Sequence, residues 1–209
     1  MIPVSSAVRY RRPATVLTFS EEIQKSRFLT WIGPTTGRSA AQAWIAGLRE
    51  AHPHARHCCW ASIAEAPQDG QGYGCSDDGE PAGTAGRPML ALLQGSGLGA
   101  VSAVVVRYYG GILLGTGGLV RAYTHGVSQL LQQMPVCEQV LQRRFLLHYG
   151  YEDTRLVERC LLQHQAESLS MDYLAEIQLR GQCPYDCSDA LAETLRQQSR
   201  GRLQLCWEA

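Results

Sequence analysis

Residues Ser76–Tyr123 read SDDGEPAGTAGRPMLALLQGSGLGAVSAVVVRYYGGILLGTGGLVRAY. Two glycine-rich segments flank one apolar run, Val101–Val106, and each segment continues into a pattern with helical spacing. Such a density of glycine indicates turns with positive φ, or a backbone that another group approaches closely. We therefore place the candidate functional residues in these two segments.

Outward from this stretch, the patterns predict both strands and helices. Extended structure is predicted for three segments: 14–19, 27–32 and 57–64. Ser39 is the predicted cap of a helix that ends near Ala51, and Pro88 suits the first turn of a short helix that ends near Gly95. Val101–Tyr108 is predicted to be a strand buried on both faces, because its valines occupy both parities of the alternation.

The clearest helical pattern follows Thr116, which is its predicted N-cap. One apolar face is formed by Leu119, Val120, Tyr123, Val127, Leu130, Leu131 and Met134. Pro135 ends this helix, because the residue before a proline resists the α conformation. We place a domain boundary there, which gives domains 1–135 and 136–209.

The remaining residues predict a regular order of elements. The predicted strands are 138–148, 167–171, 173–180 and 202–207, and the predicted helices are 152–164 and 185–198. This β-α-β-β-α-β order is the ferredoxin-like split βαβ arrangement. The fold class predicted for the chain is therefore α+β with two domains.

Charge restricts the possible partners. Nineteen basic residues balance nineteen acidic ones, which argues against a basic surface over the whole protein. Residues 1–135 contain eleven basic and eight acidic residues, which gives a net charge of +3. Residues 136–209 contain eight basic and eleven acidic residues, which gives a net charge of −3. We expect any polyanion to meet the first domain.

The sequence predicts a cytoplasmic protein with no membrane segment. Met1–Arg12 has no apolar core of a signal peptide, and the longest apolar run is far too short to span a bilayer. Eight cysteines in 209 residues are too few for a disulfide scaffold. We expect reduced thiols.

The second glycine-rich segment is a candidate anion- or RNA-binding site. Its residues are Arg107, Gly110, Gly111, Gly115, Thr116, Gly117, Gly118 and Arg121. A helix N-terminus offers unpaired N–H groups, and an arginine one turn into the helix can hold a phosphate bidentately. The alternative, left open here, is that the glycines form a tight turn and let the helix pack closely on the sheet.

The first segment is an acidic loop with two interpretations. Its residues are Asp77, Asp78, Glu80, Thr84 and Arg87, with His54 and His57 as expected neighbours. The three carboxylates suit Mg²⁺, but they also suit internal ion pairs with Arg87, Arg107 or Arg121, and we favour the latter. Thr84 is predicted to cap the following helix. We predict no catalytic residue, no metal and no cofactor.

Five motifs together resemble the signature of the IMPACT family, in its bacterial two-domain form. They are Asp77–Gly86, Arg107–Gly111, Leu114–Tyr123, Lys25–Phe28 and Ala55–His57. The resemblance implies a first domain with a β-α-β fold like domain IV of elongation factor G, and a ferredoxin-like second domain resembling its domain V. Eukaryotic members of this family regulate translation under amino-acid stress.

The resemblance and the charge distribution give one functional prediction and one alternative. We predict a translation-linked binding protein that contacts RNA or a ribosome-associated protein through the glycine-rich face of the first domain, without sequence specificity for DNA. The alternative is an enzyme that acts on a phosphorylated small molecule at the same loops.

Overall fold

The computed structural model describes residues 9–68, 70 and 72–208. These residues form a mixed α/β structure with several sheets and, within that part of the chain, five α-helices. The chain divides into two compact units between Gln139 and Val140. This division lies four residues beyond the predicted boundary at Pro135.

The first unit contains a five-stranded sheet and three helices. In chain order its elements are β1 (Arg9–Pro13), β2 (Leu17–Ile23), β3 (Ser26–Pro34), α1 (Arg38–Ala51), β4 (His57–Ile63), β5 (Tyr73–Ser76), α2 (Gly86–Ser96), β6 (Val101–Tyr108), α3 (Gly115–Gln132) and β7 (Val136–Val140). The sheet order is β2-β3-β6-β4-β5, and all neighbouring strands are antiparallel. Strands β1 and β7 form a separate two-stranded sheet.

Strand β6 is the centre of this unit. Val101 and Val105 pack in the cluster that contains α2 and α3, whereas Val104 and Val106 pack with Ile45 of α1. The prediction that this strand is buried on both faces is confirmed. Its final residues, Arg107 and Tyr108, end beside the glycine-rich segment that leads into α3.

The connection between β2 and β3 is shorter than predicted. Ile23 pairs with Ser26, so the hairpin turn consists of Gln24 and Lys25 alone, with φ of 46° and 63°. Two residues with positive φ match the twist of the flanking strands. The predicted interval between strands 14–19 and 27–32 is therefore too long, because residues 20–23 belong to β2 and Ser26 belongs to β3.

Three predicted helix caps are wrong. Ser39 and Thr116 both lie inside the first turn of their helices, whose cap positions are Gly37 and Leu114. The Thr84 hydroxyl donates to the Pro81 carbonyl at 2.7 Å instead of capping α2. In the described residues no side-chain hydrogen bond from the cap position is made at any of these helices.

Strand β5 was not predicted from the sequence. It is a short edge strand that pairs antiparallel with β4, from Tyr73 opposite Ile63 to Ser76 opposite Trp60. Its glycine content hides the strand pattern, because glycine has no side chain to alternate. The strand ends at Ser76, directly before the acidic loop that leads to the start of α2.

The second unit follows the order β-α-β-β-α-β. Its elements are β8 (Gln142–Tyr149), α4 (Thr154–Gln163), β9 (Glu167–Tyr173), β10 (Ile177–Pro184), α5 (Ser188–Gln198) and β11 (Cys206–Trp207), with a 3-10 turn before each helix. The sheet order is β11-β8-β10-β9, antiparallel throughout. The predicted strand 138–148 is wrong as a single element, because it is divided between β7 and β8.

A separate apolar core holds this unit together. Phe145 and Leu147 of β8, Leu179 of β10, Val157 of α4 and Leu191 of α5 are all fully buried in it. No helix in the described part of the chain is long and apolar enough to cross a membrane.

Candidate functional site

Asp77 is the hydrogen-bond acceptor for the start of α2. Its Oδ1 accepts from the backbone N–H groups of Ala85 and Gly86, at 2.9 and 2.8 Å, and its Oδ2 accepts from Gly83 at 2.8 Å. Burial alone would raise the pKa of this carboxyl, but the three backbone donors outweigh burial, and the pKa lies below its ordinary value. Asp77, seven residues before Thr84, therefore accepts the hydrogen bonds at the start of α2 that were predicted for the Thr84 side chain.

Asp78 connects the acidic loop to β4 and α1. Its Oδ2 accepts from the Cys58 backbone N–H at 2.6 Å and forms an ion pair with Arg49. Its carbonyl oxygen lies 2.8 Å from Nδ1 of His57. Because a carbonyl oxygen only accepts, Nδ1 of His57 carries the proton of this hydrogen bond. The second ring nitrogen, Nε2, takes no part in it.

Glu80 and Arg107 form a buried ion pair. Oε1 of Glu80 accepts from Nη1 of Arg107 at 2.7 Å and from the Tyr123 hydroxyl at 2.8 Å. Nε2 of His57 lies 3.8 Å from the same oxygen. Nη2 of Arg107 donates to the Ser26 hydroxyl at 3.3 Å. Since Arg107 is only 4% exposed, removing either charge would leave the other buried and unpaired.

The Arg107 guanidinium also lies against two aromatic rings. Its Cζ is 5.4 Å from the ring centroid of Phe28 and 5.4 Å from that of Tyr109. Its Nε is buried and has no hydrogen-bond partner among the described residues. Arg107, predicted to be a phosphate clamp, therefore makes its hydrogen bonds to Glu80 and Ser26, and its Nε–H has no partner among the described residues.

A cleft of about 480 Å³ lies over this network, and we call it the α3 cleft. The residues that line it are Arg56, His57, Gly79, Glu80, Pro81, Arg107, Tyr109, Leu113, Leu114, Gly115, Thr116 and Leu119. It brings together residues of both glycine-rich segments, and the lining residues that were not predicted to be site residues include Arg56 and Tyr109. Arg56 precedes His57 and Tyr109 precedes Gly110, within the motifs Ala55–His57 and Arg107–Gly111. This adjacency to predicted site residues is the feature of the sequence that could have identified them.

The glycines of the second segment have different roles. A Cβ on Gly110 would lie 2.0 Å from the backbone of Lys25, and its N–H donates to the Ser26 hydroxyl at 3.2 Å. Gly110 thus lets the segment pack on the β2–β3 hairpin. Gly111 and Gly115 have φ of 87° and 69° and shape the turn into α3. By contrast, a Cβ on Gly117 would meet nothing within 4 Å.

Arg121 lies outside the α3 cleft. It is exposed on α3 and lines a second cleft of about 630 Å³, together with His125, Leu92 and Gly118. The structure therefore does not place Arg107 and Arg121 in one cleft. Nδ1 of His125 lies within hydrogen-bonding distance of Oε2 of Glu21, at 2.8 Å.

Two further predicted residues, Arg87 and His54, line neither cleft. Arg87 is exposed in the first turn of α2, where its charge helps to lower the pKa of Asp77. His54 is exposed in the turn after α1. Among the described residues no group of three or more His, Cys, Asp or Glu side chains is arranged to hold a metal ion. The three signature carboxylates instead accept from protein donors.

Comparison with known sequences agrees with the signature. The family model described as the Impact N-terminal domain matches residues 24–131, which include both glycine-rich segments and the α3 cleft. The chain belongs to the IMPACT family. The resemblance noted from the five motifs is thereby confirmed.

Two IMPACT family members are similar over nearly the whole chain. An IMPACT family member of Haemophilus influenzae is 48% identical over 194 residues, covering 93% of this chain and 94% of its own. The IMPACT family member YigZ of Escherichia coli is also 48% identical, over 193 residues, covering 92% and 95%. One solved structure, described as the crystal structure of an hypothetical protein, is 46% identical with a TM-score of 0.76 and covers 96% of this chain and 98% of its own.

Proposed function

We propose that this IMPACT family member is a translation-linked binding protein whose first unit contacts RNA. The proposed contact surface, called the signature face below, consists of Arg56, Tyr109, Leu113, Thr116 and Arg121. The link to translation is the role that the family resemblance implies. The alternative partner for the same surface is a ribosome-associated protein.

The exposed ring of Tyr109 is the observation that carries the proposal. Tyr109 is 39% exposed, and the Cζ atoms of Arg56 and Arg107 lie 5.8 and 5.4 Å from its ring centroid. On the same loop Leu113 is 85% exposed. An aromatic ring beside arginines is a platform on which any base can stack, so it supports RNA binding without sequence readout.

The charges of the first unit fit a modest affinity. The exposed arginines that line the two clefts are Arg56 and Arg121, and the exposed Lys25 follows Gln24, which lines the second cleft. Since the whole chain is neutral, only these few side chains and the α3 N-terminus are available to neutralise phosphates. Binding should therefore fall shallowly with salt, with a log–log slope of about −0.7 per neutralised phosphate on a single strand.

The test is binding of a labelled single-stranded RNA, followed by fluorescence anisotropy across a salt series. We expect Tyr109→Ala to weaken binding about tenfold, because stacking contributes ~1–3 kcal/mol per base, and Tyr109→Phe to retain it. Arg121→Ala should reduce the salt slope by about 0.7. The matched control is Arg155→Ala, an exposed arginine on α4 of the second unit.

Two results would contradict the proposal. One is wild-type protein that shows no salt-sensitive RNA binding, and the other is an equal loss in Arg155→Ala. Retention of a ribosomal protein after nuclease treatment of a cell extract would instead favour the ribosome-associated partner.

An enzyme acting on a phosphorylated small molecule remains a second candidate, because the α3 cleft is concave. His57 lines it with Nδ1 fixed by the Asp78 carbonyl and Nε2 near Glu80, an arrangement suited to proton transfer. Phosphate release from a panel of phosphomonoesters tests this candidate. Turnover that is lost in His57→Gln would favour the enzyme, and no turnover by the wild type would exclude it for that panel.

A further inference from the structure

We infer that the α3 cleft is a nucleotide-sized site for a terminal phosphate monoester, carried at the 5′ end of an RNA or by a free nucleotide. This inference rests on the proposed function, because it specifies which part of an RNA the signature face holds. Four observations lead to it: an uncapped helix N-terminus, an unpartnered buried donor, the charge of the lining, and the size of the cleft.

The N-terminus of α3 opens into the cleft. Gly115 and Thr116, the first two residues of this 18-residue helix, line it. In the described residues the helix has no side-chain hydrogen bond from its cap position and no acidic residue in its first turn. The free N–H groups and the positive end of the helix dipole are therefore available to an anion.

Arg107 gives the second, independent indication of a ligand. Its side chain is 5% exposed and lines the cleft. Nη1 and Nη2 are bonded to Glu80 and Ser26, whereas the buried Nε has no partner among the described residues. A buried donor without an acceptor is costly and rare. A phosphate oxygen in the cleft would supply this acceptor once the side chains over Nε, which has almost no exposed surface, move aside.

The charges that line the cleft favour a monoester over a diester. The described lining residues include two cations, Arg56 and Arg107, and one carboxylate, Glu80. Because Glu80 is paired with Arg107, the net charge of the lining is +1 and its uncompensated cation is Arg56. A monoester carries about −1.5 to −2 at neutral pH, whereas each phosphate within the RNA chain carries a single negative charge. A terminal phosphate therefore gains more from the same site.

The size of the cleft limits the ligand to about one nucleotide. Its volume of about 480 Å³ is that of a small-molecule site. The Tyr109 ring and Leu113 line it along with the α3 N-terminus, so a base can stack on the ring while its phosphate occupies the helix end. Further nucleotides must leave the cleft along the exposed part of the signature face.

The experiment compares two single-stranded RNAs of the same sequence, one with a 5′-phosphate and one with a 5′-hydroxyl, and adds adenosine monophosphate as a competitor. We expect the phosphorylated RNA to bind at least about tenfold more tightly, the effect of one added charge-assisted hydrogen bond. Adenosine should compete far less well than the monophosphate.

Gly117 provides a matched pair of variants. Its Cβ position is open, so Gly117→Asp and Gly117→Asn should both fold. An aspartate in the first turn of α3 supplies its own anion to the free N–H groups. We expect Gly117→Asp to abolish the 5′-phosphate preference and the competition by the monophosphate, and Gly117→Asn to retain both.

The outcomes separate this inference from the proposed function. Equal, salt-sensitive binding of both RNAs overturns the terminal-phosphate site and leaves RNA contact standing. Binding of adenosine monophosphate without binding of either RNA supports the site, identifies a free nucleotide as its source, and contradicts the proposed function. Binding of none of these ligands overturns both.

Discussion

At the scale of single residues, the three acidic side chains of the signature have three different tasks. Asp77 accepts hydrogen bonds from the N–H groups at the start of α2. Asp78 forms an ion pair with Arg49, and Glu80 forms a buried ion pair with Arg107. Burial raises the pKa of the Tyr123 hydroxyl, which therefore stays a donor to Glu80. The loop is thereby held to five elements of the first unit: α1, α2, α3, β4 and β6.

Replacing Asp77 tests this description. Asp77→Asn keeps one acceptor oxygen but turns an amide N–H towards the donor of Gly83, so it should lower the free energy of unfolding by about 1–2 kcal/mol at pH 7. Because the folded-state pKa of Asp77 is lowered, its contribution is complete above about pH 4, the unfolded value, and disappears as pH falls through the folded pKa. Urea unfolding at several pH values measures both effects.

The control for this prediction is Asp172→Asn, an exposed carboxylate on β9, which should change stability little at any pH. A wild-type advantage over Asp77→Asn that stays constant down to pH 2 would show that the carboxylate charge of Asp77 is not what binds the start of α2.

Internal pairing of the acidic loop was predictable from sequence, and its partners were predictable only in part. Arg107 was one of three arginines proposed, because it follows a buried strand at the edge of a glycine-rich segment. Arg49 was not foreseen, since only the packing of α1 on the sheet brings it to Asp78. Tyr109 was missed as a site residue because exposure of an aromatic side chain cannot be read from alternation in a loop.

At the scale of elements, the segment between β6 and α3 depends on two kinds of glycine. Gly110→Ala should destabilise the protein by about 1–3 kcal/mol, because the new Cβ would lie 2.0 Å from the Lys25 backbone. It should also displace the neighbouring Tyr109 and weaken RNA binding. Gly117→Ala is the matched control and should stabilise α3 by ~0.5–1 kcal/mol.

Thermal and urea unfolding of the two variants, together with RNA anisotropy, check this prediction. Equal stability of Gly110→Ala and wild type would mean that the segment does not need its close contact with the β2–β3 hairpin. The contrast could not be obtained from the sequence, where both residues simply belong to glycine-rich motifs.

Elements with strong periodicity were predictable, and those defined by local hydrogen bonds were not. Valines at both odd and even positions correctly predicted that β6 is buried on both faces. The predicted apolar face of α3 contains the residues Leu119, Tyr123, Val127 and Leu130, which are buried in the structure. The predicted Thr84 cap was wrong because Asp77, eight and nine residues before Ala85 and Gly86, accepts hydrogen bonds from their N–H groups at the start of α2. Strand β5 was missed because glycine interrupts its pattern.

At the scale of the whole molecule, the chain divides after Gln139. Fragment 140–209 should fold alone and give a dispersed amide NMR spectrum, since β8 to β11 and their two helices share one apolar core. Fragment 136–209, cut at the predicted boundary, should give the same spectrum plus random-coil signals from 136–139, because β7 pairs with β1. A collapsed spectrum from fragment 140–209 would contradict this division.

The central claim is that the signature face of the first unit contacts RNA. Ultraviolet crosslinking of the full chain to single-stranded RNA, followed by mass spectrometric mapping of the modified peptides, tests it most directly. The account predicts crosslinks at Tyr109 and its neighbours in the segment that leads into α3, and their loss in Tyr109→Ala. Crosslinks confined to residues 140–209, or none above the background of an unrelated protein, would contradict it.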